Sequence, residues 1–519
     1  MGATPVRSHD SLTGAAARAE QLAALDGSPD AGFNAATEAL FRHPADRTAL
    51  IWQSGDERRE LSYGELGDHA RAMAAVLAAH GVGTGTRVAV LLPKRPELAA
   101  TLFGAWSLGA TVVPLFTAFG PEAIATRVGS SATALIVTET SLLDRLPAER
   151  PTVLDVDALP SVPEAAPEPV AHGAADPFIC IYTSGTTGAP KGVLVPLVGL
   201  ATFRAYLDYS VDLRPDDRLW NMADPGWAYG LYCGILGPMV MGQTIRWLQE
   251  PFDPVRAAAF ARSEGITNLM SAPTAHRALA PHLDGVPIRV ASSAGEPLST
   301  DVADAFGAAT GAPLYDQYGQ SELGMVAGNH HGLAHEVRPG TMGVPLPGFE
   351  LAVLDVDGTA VVGEPGQLAL ALDASPLNFF AGYHGGVGAD RVNAAGWYLT
   401  GDVVEHHADG TFQFASRSDD VILTAGYRVG PSEIEDPLLR HPAVADCAVV
   451  GRPDEQRGEI IVACVVPTDP EVDRDQLLID LRTHIKREVA AHLAPRDVVL
   501  VDEIPRTPSG KAQRFKLRA

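Results

Sequence analysis

Cysteine is scarce in this chain. Cys180, Cys233, Cys447 and Cys464 are the only four among 519 residues. They lie far apart and form no CxxC pair, so neither a disulfide framework nor a cysteine metal cluster organises the fold. Three sit in apolar runs and read as core thiols. The sixteen histidines give no H-E-x-x-H or comparable spacing, and the adjacent pairs His330-His331 and His406-His407 read as surface groups. No apolar run is long enough to span a bilayer, and the start, MGATPVRSHDSLTG, has no apolar signal core. Val6 stands where myristoylation wants Ser or Thr. Positive charge is in deficit, with 39 Lys and Arg against 63 Asp and Glu; the net −24 argues against a nonspecific grip on nucleic acid. The expectation is a protein of the reducing cytoplasm, with no nucleic-acid partner and no membrane span.

What remains is globular and large. Hydrophobic residues make up 46% and charged residues 20%, and the length exceeds what one core normally serves. Residues 1–32, rich in Ala, Gly and Asp, read as a loosely packed leader. Helix and strand patterns then alternate, as in LSYGEL (Leu61 to Leu66), where Ser62 and Glu65 make a capping box for a helix stopped at Gly81. Strands are expected at Arg87 to Leu92 and Thr111 to Pro114, with a helix from Arg95 to Leu108 between them. The alternation predicts a layered α/β domain with a largely parallel sheet. Residues Pro151 to Pro177 read as a connector with little structure. The pattern changes to short strands over about 342–418, a small β-rich subdomain. After a polar hinge near Ser416 to Asp420, residues 419–519 form a small α+β domain, with a helix expected from Ser432 to Leu439 in which Ser432 caps and Glu435 completes the box. The main domain is therefore expected over 33–418.

The segment YTSGTTGAPKGV (Tyr182 to Val193) carries the most chemistry. Thr183, Ser184, Thr186 and Thr187 offer hydroxyl donors, Gly185 and Gly188 free the backbone, and Lys191 adds a point charge. This combination suits a loop wrapped closely around phosphates. It is not the G-x-x-x-x-G-K-[ST] loop, because Gly192 follows Lys191.

With these motifs in order from LSYGEL to PRTPSGK, the chain resembles the adenylate-forming superfamily of acyl-CoA synthetases, luciferase-like enzymes and peptide-synthetase adenylation domains. PLFTAFGPEAIATRV, ADPGWAYG, AGEPL and YDQYGQSE draw it towards the short- and medium-chain acyl-CoA synthetases. The resemblance implies ATP, Mg2+ and CoA as cofactor and co-substrates. A carboxylate would be joined to AMP with release of pyrophosphate and then passed to CoA, or to a carrier protein. The C-terminal domain would rotate between the two steps.

The resemblance also assigns roles. Lys511 of PRTPSGK would neutralise charge between the carboxylate and the α-phosphate, and Arg428 would support the adenylating orientation. Glu322 would hold Mg2+. Asp402 and Arg417 would take the ribose, Tyr318 would stack on adenine near Asp316, and Gly295, Glu296 and Pro297 would line its other side. Gln320 and Ser321 complete the YGQSE contribution to the nucleotide site. Asp419 would be the hinge, and Gly426 would leave room for pantetheine. Trp227, Ala228, Tyr229 and Gly319 would shape the acid pocket. Gly319 falls where acetate-specific relatives carry tryptophan, which predicts an acid larger than acetate, aliphatic or aryl. A homodimer, and an acetyltransferase and deacetylase acting on Lys511, complete the expected partners.

Overall fold

Local signals set the helix ends. Ser62 Oγ accepts from the Glu65 amide at 3.1 Å while Glu65 Oε2 accepts from the Ser62 amide at 2.8 Å, and the helix Tyr63–Ala79 stops before Gly81, whose φ is 81°. Helix Pro254–Glu264 has Asp253 as its cap and ends at left-handed Gly265. The computed structural model describes residues 7–159, 166–183, 190–386, 391–418, 420–424, 427–454, 457–506 and 512–518, without the side chains of Tyr427, Arg428 and His492. The described residues fall into two compact units, one taking 7–183, 190–350, 371–386 and 391, the other 351–370 and 392–518.

Among the described residues, the first unit holds two six-stranded sheets. One runs Thr152–Asp155, Leu135–Thr138, Arg87–Leu91, Thr111–Pro114, Pro177–Thr183, Lys191–Pro196, all parallel except the last pairing. The other runs Leu219–Asn221, Asn268–Ser271, Val290–Ser293, Leu314–Gln320, then antiparallel through Gly324–Gly328 and Val344–Pro345. In the first sheet the inner strands are near-continuous apolar runs because helices cover them, and Trp220, Phe260 and Phe306 close the core beside the second. A smaller sheet joins Ile245–Leu248, Thr48–Ser54 and Glu57–Ser62.

The second unit is built mainly from antiparallel pairings. Strands Leu351–Leu354, Pro365–Ala371, Trp397–His406 and Phe412–Arg417 make one sheet. The other contains Val444–Asp454 and Gly458–Pro467, with helices Ser432–Leu439 and Arg474–Glu488 against it.

Several expectations are corrected. Residues 7–32 are not loosely packed: helix Gly14–Ala23 buries Ala17 and Gln21, and Arg7–Ser8 pairs with Leu333–Ala334. The Pro-rich connector contributes strand Thr152–Asp155. His330 and His331 are buried, not superficial; His330 bonds Ser210 Oγ at 2.7 Å and His331 stacks on Tyr315 at 4.3 Å. Ser432 and Glu435 form no capping box. Ser432 Oγ donates to the Ala415 carbonyl at 2.9 Å, and Glu435 turns instead to Arg514 and the Val449 amide. All four cysteines are buried free thiols, one more than the apolar runs implied.

Candidate active site

The polar loops of the first unit collect at the carboxyl ends of its parallel strands, where α/β sheets take their ligands. Thr183 ends one strand and Lys191 begins its antiparallel neighbour, in register with each other. Ser184, Gly185, Thr186, Thr187 and Gly188 lie outside the described residues. The loop therefore joins two strands of one hairpin rather than a strand and a helix.

Lys191 makes no ion pair with a described residue; its Nζ lies 5.4 Å from the centroid of the Tyr383 ring. Tyr383 is held there because the Leu194 amide donates to the Gly382 carbonyl and Val193 bridges Tyr383 itself. The Tyr383 hydroxyl donates to Glu322 Oε1 at 2.8 Å. A cation, an aromatic ring and a carboxylate are thus linked beside the phosphate loop. Glu322 is buried at 9% exposure, and no described group donates to its second oxygen. That is a hard oxygen donor with one side held and one side available, which fits a Mg2+ that takes its other ligands from phosphates and water. Sequence reasoning missed Tyr383, whose context, AGYHGG, carries no recognisable signal.

The adenine set also comes together. Asp316, buried in strand Leu314–Gln320, accepts from the Leu298 amide at 3.3 Å and the Gln317 amide at 3.0 Å. These bonds tie the strand bearing Tyr318 to the turn of Gly295, Glu296 and Pro297. Burial outweighs them and pushes the Asp316 carboxyl up to about 8, so that it holds its proton at neutral pH. Glu296 is oriented by Thr274, whose hydroxyl donates to Oε2 at 2.7 Å. Gln320 donates to the Tyr318 hydroxyl at 3.2 Å, and the Ser321 carbonyl accepts from Tyr232 at the same distance. Gln317, also missed from the sequence, bonds Tyr206 and Ser292, while Tyr206 lies 3.2 Å from the Tyr229 hydroxyl.

Trp227 packs between Phe116 and Phe119, with centroids at 5.6 and 5.5 Å, and Ala228 and Tyr229 begin the short helix after it. Lys94 and Asp224, not singled out from the sequence, lie deep nearby. Burial lowers the pKa of the first and raises that of the second, and each charge partly offsets the other's shift.

Gly319 departs from its expected part. An added Cβ would overlap the Gly324 carbonyl oxygen and come 2.7 Å from Met325 Sδ. The missing side chain leaves no open room for substrate, because the turn into the next strand occupies that space.

In the second unit Asp402 and Arg417 face each other across neighbouring strands, and Arg417 Nη1 donates to Asp402 Oδ1 at 2.8 Å. Asp402 is 4% exposed. Arg428 pairs through its backbone with Leu423. Asp419, Gly426 and Lys511 lie outside the described residues.

Residues 37–384 match the family model described as AMP-binding enzyme, and residues 433–511 match the AMP-binding enzyme C-terminal domain. The chain belongs to the adenylate-forming enzymes. This adenylate-forming chain is 32% identical to an acetyl-coenzyme A synthetase of Bacillus subtilis (strain 168), over 94% of its own length and 90% of the relative's. It is equally identical to the mitochondrial acyl-coenzyme A synthetase ACSM3 of Homo sapiens, over 91% and 85% of the two lengths. The crystal structure of a Brucella canis acyl-CoA synthetase superposes with a TM-score of 0.77 at 42% identity, covering 99% of this chain and 98% of that one. The protein is an AMP-forming ligase working on a carboxylic acid, ATP and CoA. One expectation falls here: the acyl-coenzyme A synthetases ACSM3 and ACSM4 of Homo sapiens, each 32% identical, are mitochondrial proteins, so the missing signal core does not assign the chain to the cytoplasm. Among the described residues no helix is long and apolar enough to cross a membrane.

Proposed function

We propose that the protein is an acyl-CoA synthetase acting on a short- or medium-chain monocarboxylic acid larger than acetate. The observation that carries this reading is the linked Lys191, Tyr383 and Glu322 beside the phosphate hairpin. It offers one cationic and one anionic anchor for a magnesium nucleotide. The acid class rests on the aromatic wall of Trp227, Phe116 and Phe119 with Ala228 beside it, not on Gly319, whose space is filled.

In this reading the carboxylate oxygen attacks the α-phosphorus of ATP, the bond to the β-phosphate oxygen breaks, and pyrophosphate leaves. No proton need move, since the acid is already ionised at neutral pH. The CoA thiol then gives up its proton to solvent, its sulfur attacks the acyl carbonyl, and the bond from that carbon to the AMP phosphate oxygen breaks to release AMP. Glu322 would hold Mg2+, which supplies neutralisation of phosphate charge. Thr183, Ser184, Gly185, Thr186, Thr187, Gly188 and Lys191 grip the phosphates. Asp316, Tyr318, Gln320, Ser321 and the 295–297 turn receive adenine, and Asp402 with Arg417 receives ribose. Lys511 neutralises the first transition state, on a mobile domain of 419–519 that turns at Asp419, while Arg428 and Gly426 act in the two successive orientations. Acetylation of Lys511 would remove the charge and switch off the first step. Association as a homodimer belongs to the same proposal.

The test is acid-dependent exchange of labelled pyrophosphate into ATP across a panel of aliphatic and aromatic acids, followed by CoA or a carrier protein as acceptor. Exchange strongest with aliphatic acids of three to eight or so carbons, and thioester only with CoA, is expected. Exchange confined to aryl acids, or transfer only to a carrier, would redirect the assignment.

A further inference from the structure

The tail beyond Lys511 is fastened to the residue that follows the expected hinge. Arg514 donates from Nη2 to Glu435 Oε2 at 2.7 Å, from Nε to Glu435 Oε1 at 3.1 Å, and from Nη1 to Asp420 Oδ2 at 3.1 Å. Arg518 takes the other oxygen of Asp420 at 2.7 Å. Glu435 Oε1 accepts in addition from the Val449 amide at 2.7 Å, which fixes this carboxylate to strand Val444–Asp454. Three segments distant in sequence therefore meet on one guanidinium.

The cluster is not an ordinary surface pair. The Arg514, Asp420 and Glu435 side chains are 18%, 15% and 12% exposed. Burial alone would lower the guanidinium's pKa, but Glu435 and Asp420 outweigh it and raise it. A two-point fork onto one carboxylate fixes direction as well as distance, which a lysine cannot do.

The chain on either side of 507–511 is also held. Arg506 bridges Ala512, the Gln513 amide donates to the Pro505 carbonyl at 2.7 Å, and Arg506 reaches both oxygens of Asp446 at 2.9 Å. Leu517 is buried with Ala448, Val450 and Ile504.

We propose that Arg514 is a positioning residue for the adenylation step, coupling the flanks of Lys511 to Asp420 so that hinge and tail turn as one piece. This rests on the reading of Lys511 as the adenylating lysine. The coupling acts through the lysine's placement, and a displacement of about 1 Å at a reacting group costs on the order of a hundredfold.

The experiment separates the half-reactions in the full-length protein. Arg514→Ala is expected to slow acid-dependent pyrophosphate exchange about a hundredfold, while CoA thioester formation from synthetic acyl-adenylate changes by less than about twofold. Arg514→Lys, which keeps charge without the fork, recovers about tenfold of the loss. Arg474→Ala, which removes an ion pair to Asp497 in the same unit, leaves both half-reactions unchanged. Equal loss in both half-reactions, or no loss in either, would overturn the proposal. Should Arg514→Ala lose its cooperative melt, Asp420→Asn is measured instead and must show the same split. Wild-type protein without acid-dependent exchange, or Lys511→Ala with full exchange, would instead bring down the underlying reading of the site.

Discussion

Two glycine-containing segments have a lysine at or beside one end. One lies between Thr183 and Lys191, the other between Arg506 and Ala512, and in both the flanking residues are paired antiparallel. The first has feet in strands of seven and six residues inside a six-stranded sheet. The second has a single bridge and relies on guanidinium contacts to Asp446, Asp420 and Glu435. Ladder bonds fix a backbone and barely respond to ionic conditions, whereas ion pairs fix side chains and can be removed one at a time. A loop proposed to present its backbone to phosphates suits the first anchor. A lysine proposed to act in one step and not the next suits the second.

The largest expected effect separates the two loops directly. Lys511→Ala should lower pyrophosphate exchange by about a thousandfold and leave thioester formation from acyl-adenylate nearly intact. Equal losses would erase the distinction between the loops.

Acid should act on the first unit before the second. Burial pulls His276 and His331 down to about 4, and His330 also lies well below its ordinary value. These groups bind protons in the unfolded chain that the folded chain refuses. Their contribution is complete above about pH 6.5 and is lost as pH falls from there towards 4. Asp316 works oppositely: its raised value means the folded state holds a proton the unfolded state has shed, so its contribution declines as pH rises from about 4 to about 8. The three imidazoles outweigh Asp316 and the likewise raised Asp224 below pH 6.5, and above it the decline from Asp316 continues. The melting temperature of the first unit should peak near pH 6.5, and Asp316→Asn should flatten the alkaline side. Hydrogen exchange with mass spectrometry assigns the melt to a unit; acid melting that begins in residues 420–518 would contradict this.

Gly319→Ala should cost about 2–3 kcal/mol in a denaturant titration, because its Cβ meets the fixed Gly324 carbonyl. No loss would mean that the turn yields and that the room once expected for substrate exists.

The smallest effect sharpens the account of the hairpin side. Tyr383→Phe keeps the ring beside Lys191 and removes the hydroxyl that donates to Glu322, so KM for magnesium-ATP should rise about fivefold, near 1 kcal/mol. A change in the acid's KM instead would place Tyr383 elsewhere in the reaction.

Much of this was legible in the chain itself. The Ser62 capping box, helix Ser432–Leu439 and the alternation leading to strand Thr111–Pro114 are local patterns, and each formed where it was read. Motifs that carry their chemistry in consecutive residues, such as YTSGTTGAPKGV and YDQYGQSE, identified the family for the same reason. Misreadings arose where a residue's partner is remote in sequence. Ser432 and Glu435 have the spacing of a cap, but Ala415 and Arg514 compete for their side chains. His330 and His331 look polar until strand and helix neighbours close over them.

Local spacing and composition thus decided the layered architecture and the family, since those depend on neighbours along the chain. Only the tertiary structure decided that Tyr383 donates to Glu322, that the space beside Gly319 is already taken, and that Arg514 joins the tail to Asp420 and Glu435. Each of these depends on distance through space between segments tens of residues or more apart, or on a volume that no sequence pattern records.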